Sequence, residues 1–133
     1  WGEARFRRLE RESIEKLVNR GPGRMVVALG GGAFESGRNR KLLLERATVT
    51  YLSCSQRELY HRLRDTTDRP LLMRKSQKNA ADALKARIKR LMGQRTSSYQ
   101  TADIIVSTSS RTVSETVREI NRKIKKFYAD SKS

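Results

Sequence analysis

The chain has 133 residues, enough for one domain with a real core and too few for two. No apolar run approaches the roughly 20 residues of a membrane-spanning helix. Residues 1–8 are charged and unlike a secretory leader. A single Cys54 excludes an internal disulfide, and with the single His61 it argues against a structural zinc site; a reducing, cytoplasm-like setting fits. The 30 Lys and Arg against 14 Asp and Glu give a net charge of +16, a balance that suits polyanionic partners. The basic residues are nevertheless dispersed, and the tyrosines do not alternate with them as stacking platforms would.

In chain order, residues 3–20 are predicted to be helical, because Phe6, Leu9, Ile14, Leu17 and Val18 recur at helical spacing amid charge. Gly21, Pro22 and Gly23 stop that helix. Met25, Val26, Val27, Ala28 and Leu29 then form an unbroken apolar run, the pattern of a parallel strand buried on both faces. It ends in Gly30, Gly31 and Gly32, where a ligand could approach bare backbone N–H groups at the carboxyl end of a strand.

A short helix is predicted over residues 37–46, and a β-branched, aromatic strand over 48–52. Ser55 and Glu58 have capping-box spacing and open a helix that runs through Arg64. Residues 65–79 lack periodicity and read as a lid. Leu84, Ile88 and Leu91 mark a further helix, residues 103–107 a third strand, and Val113, Val117, Ile120, Ile124 and Phe127 the apolar stripe of a last helix. This alternation predicts an α/β fold with a mainly parallel sheet.

Four motifs carry a family resemblance. They are Gly2-Glu3 with Phe6-Arg7 and Glu10, then Leu29 with the glycine triplet and Ala33, then Arg69-Pro70-Leu71-Leu72, and last Arg95 with Tyr99 and Ala102-Asp103. In this order they resemble the shikimate kinases, which move the ATP γ-phosphoryl group to the 3-hydroxyl of shikimate. The resemblance implies a three-layer α/β/α fold of the nucleoside-monophosphate-kinase-like, P-loop kinase type over residues 1–133. It further implies that Arg7 and Arg95 bind the shikimate carboxylate, that Glu10 braces Arg7, and that Gly30, Gly31 and Gly32 meet the substrate. A guanidinium fork suits a carboxylate. By the same resemblance Arg69 is the catalytic lid arginine over the transferring phosphoryl group and touches ATP, while Arg62 and Arg111 flank adenine. Arg62 and Arg111 read equally well as ordinary surface charges. Asp103 reads as structural.

No G-x-x-x-x-G-K-[ST] loop occurs in the sequence, and no Asp precedes Asp65. ATP and Mg²⁺ are therefore implied by the resemblance alone, and no metal ligand is assigned to this chain. In the family fold the P-loop strand lies between the strand ending in the triplet and the strand at 48–52. The sequence is thus expected to be the C-terminal three-quarters of a shikimate kinase with its central strand missing. The expected partners are shikimate and ATP, with no membrane, and with a monomeric state for the complete protein. The alternative is a non-catalytic relative that binds RNA or another polyanion through its basic surface. A related sugar-acid kinase fits the first and last motifs less well.

Overall fold

A computed structural model describes residues 2–21, 23–64, 66 and 77–132. The described residues form five helices and two strands, in the order α1 (Glu3–Val18), α2 (Gly37–Arg46), β1 (Thr50–Ser53), α3 (Gln56–Arg64), α4 (Gln77–Tyr99), β2 (Ile104–Ser107) and α5 (Val113–Asp130). The predicted α/β class with parallel pairing is what the structure contains. β1 and β2 run parallel, with Thr50 opposite Ile104 and Ser53 opposite Ser107. The register is pinned at its start by Asp103, whose Oδ2 accepts from the Val49 N–H at 2.8 Å. That contact bears out the structural reading of Asp103.

The core has two parts. Ile14, Ala33, Phe34 and Leu43 are buried together, with Val18, Leu42, Leu44, Val49 and Tyr99 packed against them. Ile104 and Val106 point inward from β2, while Ile105 and Ser107 alternate outward. α5 packs on β2, α1 on α2, and α3 on α4. The start of α5 is fixed by a complete capping box: Thr112 Oγ1 accepts from the Glu115 N–H, and Glu115 Oε2 accepts from the Thr112 N–H.

Three expectations need correction. Residues 25–29 are not a strand: they form no ladder, and Met25, Val26, Val27 and Leu29 are exposed, Val26 completely. An apolar run becomes a strand only when its backbone groups find a partner, and none of the described residues supplies one. Next, the helix after the lid begins at Gln77, so residues 77–79 belong to α4. Most of the lid span, including Arg69 and Pro70, lies outside the described residues. Finally, the capping box at α3 is only half made. The Glu58 N–H donates to Ser55 Oγ at 3.2 Å, but the Ser55 N–H turns to Ser109 Oγ and the Glu58 carboxylate is taken by Arg62.

Candidate functional site

The glycine triplet opens a tight loop in which the Ala33 N–H donates to the Gly30 carbonyl at 3.0 Å and the Glu35 N–H to the Gly32 carbonyl at 3.3 Å. The loop is locked from below by Asn39, which is buried and donates its Nδ2 to the Ala33 carbonyl at 3.1 Å. Arg40 ties the same loop to α4 by donating to the Phe34 carbonyl and to Ser98 Oγ. The loop is thus held on both sides before any ligand arrives.

Around it converge side chains from α1 and α4. A Cβ added to Gly30 would lie 3.5 Å from Glu10 Oε1. On Gly31 it would meet Arg95 Nη1 at 2.7 Å, and on Gly32 both Arg7 Nη1 and Nη2 at 2.7 Å. Gly31 and Gly32 therefore each make room for one guanidinium, whereas a Cβ at Gly30 would make only an ordinary contact with Glu10. Arg7 and Glu10 lie one helical turn apart on α1 and form an ion pair at 2.8 Å. Arg95 and Tyr99 lie one turn apart on α4, and the Tyr99 hydroxyl donates to the Gly31 carbonyl. The Tyr99 ring also packs on Tyr51 of β1, with centroids 5.0 Å apart.

The Arg7 guanidinium is held above its ordinary range. The hydrogen bond to Glu10 is the main cause, opposed by desolvation and reinforced by the charges of Glu10, Glu3 and Glu35. Arg95 Nε donates to Glu35 Oε1 at 2.6 Å. Glu35, Asn39 and Arg40 play no part in the sequence reading. None left a local signal, since Asn39 stands among Arg38, Arg40 and Lys41 in the sequence.

Arg62 and Arg111 come together elsewhere, around the loop after β2. Arg62 Nη2 donates to the Thr108 carbonyl at 2.9 Å and its Nη1 to Thr108 Oγ1, while the Arg111 N–H reaches the same carbonyl at 3.4 Å. The edges of the Arg62 guanidinium are thus used in tying α3 to the loop after β2. A separate cleft between α3 and α4, lined by Arg57, Tyr60, His61, Lys85 and Lys89, contains none of these residues.

Among the described residues there is no group of three or more His, Cys, Asp or Glu that could hold a metal ion. No helix among them is long and apolar enough to cross a membrane.

The parallel α/β fold sets two arginines from separate helices beside the glycine loop, a grouping whose chemistry suits a small anion. Residues 1–125 match the family described as shikimate kinase. The chain is 37% identical over 127 residues to the shikimate kinase of Chlorobium chlorochromatii (strain CaD3), covering 95% of this chain and 66% of that protein. It is 37% identical to the shikimate kinase of Chlorobaculum parvum (strain DSM 263 / NCIMB 8327), with 94% and 66% covered, and 38% identical to that of Chlorobaculum tepidum (strain ATCC 49652 / DSM 12025 / NBRC 103806 / TLS), with 94% and 65% covered. No solved structure gives a significant match. The chain belongs to the shikimate kinase family. It spans slightly less than two thirds of these relatives' length, rather than the expected three-quarters. The RNA-binding alternative is not favoured, because the match follows the shikimate kinase family along nearly the whole chain.

Proposed function

We propose that residues 1–133 form the acceptor-substrate part of a shikimate kinase, with the glycine loop and its two arginines as the shikimate site. One observation carries this reading: Arg7 and Arg95, brought from α1 and α4, press their guanidinium groups against consecutive glycines. Two fixed cations beside bare backbone suit a compact ligand with one carboxylate and several hydroxyls. Glu10 holds Arg7 in its rotamer, and Tyr99 fixes the Gly31 peptide. The residues of this chain bind and orient the acceptor, so that its 3-hydroxyl is presented in one geometry.

ATP, when bound, supplies the phosphoryl group, and Arg62 and Arg111 would take the adenine end. Arg69 would neutralise charge on the transferring group, as the family resemblance implies. Mg²⁺ would accompany ATP, as the family resemblance implies. The single Cys54 is in keeping with a cytoplasmic setting, and a monomer remains the proposed state of the complete protein.

Calorimetric titration of shikimate tests the assignment. Arg95→Ala is expected to weaken shikimate binding by roughly 10- to 100-fold. ATP binding should change by less than about twofold, since Arg95 lies on the acceptor side. Unchanged shikimate affinity would refute the carboxylate role.

A further inference from the structure

The carboxylate clamp already contains a carboxylate. Glu35 lies just past the glycine triplet, in the loop that Asn39 and Arg40 hold in place. Its Oε1 accepts from Arg95 Nε at 2.6 Å, which makes it the closest charged contact of that guanidinium. Its charge also reaches Arg7, adding to the charges of Glu10 and Glu3. Arg7 and Arg95 contribute two positive charges to the site, and Glu10 and Glu35 return two negative ones.

The two acidic residues are not equivalent. Glu10 is largely covered, at 14% side-chain exposure, and sits on the same helix as Arg7, so its pairing is part of the scaffold. Glu35 is 36% exposed and Arg95 27%, so the pair is open to a ligand arriving from solvent. Glu35 and Arg95 are 60 positions apart, and their contact is made only by the fold.

We propose that Glu35 is a specificity-determining residue of this site, a resident carboxylate that competes with the ligand's carboxylate for Arg95 and so sets the affinity of the clamp. The proposal rests on the reading of Arg7 and Arg95 as a carboxylate clamp. An incoming carboxylate must displace Glu35 from the Nε edge or share the guanidinium with it, and either route weakens binding relative to an unoccupied arginine. A like charge beside the bound anion adds to the effect. Ligands without a carboxylate gain nothing from displacing Glu35 and should be indifferent to it.

The test is titration of shikimate and of shikimate methyl ester into the unaltered protein, Glu35→Gln and Glu35→Asp. Glu35→Gln removes the charge while keeping the shape, and should bind shikimate about three- to tenfold more tightly at low ionic strength, with the gain shrinking as salt is added. Its affinity for the ester should stay within about twofold, as should the affinity of Glu35→Asp for shikimate, because the charge is retained. Unchanged or weaker binding of shikimate by Glu35→Gln overturns the proposal, since Glu35 would then be neutral or would help by holding Arg95 in place. Equal tightening by Glu35→Asp also overturns it, by making length rather than charge the cause. If the unaltered protein prefers the ester, or binds both ligands alike and is insensitive to Arg95→Ala, the clamp itself is wrong and both readings fall.

Discussion

Arg7 and Gly32 compete for one space: a Cβ on Gly32 would stand 2.7 Å from both terminal nitrogens of Arg7 and 3.0 Å from its Cζ. The obstruction is the far end of a flexible side chain, and Gly32 does not adopt a positive φ. Gly32→Ala should therefore leave the fold nearly intact and push the guanidinium out of the site. The expected result is a melting temperature within about 3 °C of the parent and shikimate binding weakened at least about tenfold. Thermal melts alongside titration would check both halves of this prediction.

Asn39 holds the underside of the same loop. It is 2% exposed and donates Nδ2 to the Ala33 carbonyl. Asn39→Leu keeps the volume but leaves that carbonyl without its donor, at a cost of about 1–3 kcal/mol. Urea denaturation should show the midpoint falling with no change in slope.

The apolar run at 25–29 should behave as unpaired backbone. In the 133-residue chain its amides are expected to exchange with solvent at near random-coil rates, while the Ile104 and Thr108 amides, bonded to Val49 and Ser53, exchange slowly. Hydrogen exchange read by NMR tests this directly. Protection at Val26 or Val27 would mean that a strand partner is present.

An ion pair on α5 offers a pH test. The Glu119 carboxyl is lowered from 4.5 to about 2, mainly by hydrogen bonds from Arg122, against desolvation by burial and with help from the charges of Arg122, Arg111 and Lys123. A depressed folded-state value means that ionisation favours the fold. This contribution is fully present above about 4.5 and is lost as pH falls towards 2. The Arg122 side of the pair is exposed to water, which screens it, so the effect on stability is small and the titration midpoint is the better readout. Carboxyl-detected NMR should place Glu119 near 2 in the parent and closer to 4.5 in Arg122→Gln.

Much of this fold could be read locally. α2 begins and ends where its composition predicts, Gly37 to Arg46, because Ser36 caps it and the apolar leucines follow. α5 was legible from its apolar stripe, although its Thr112 cap emerged only in the structure. The site residues Arg7, Glu10, Gly30, Gly31, Gly32 and Arg95 were legible as motifs, and the fold brings them to one place. Residues 25–29 were misread because apolar composition describes what a strand would bury, while strand formation depends on a hydrogen-bond partner. Glu58 was half misread because Arg62, one turn on, competes for its carboxylate.

The sequence by itself determined the family, the helices and the residue types around the glycine loop, since each of these is written in short spacings along the chain. Only the tertiary structure decided which charges distant in sequence meet. Arg95 and Glu35 are distant in sequence and belong to no common motif, yet α4 and the glycine loop bring them to 2.6 Å. A contact of that kind depends on how two rigid elements dock, and periodicity carries no information about docking.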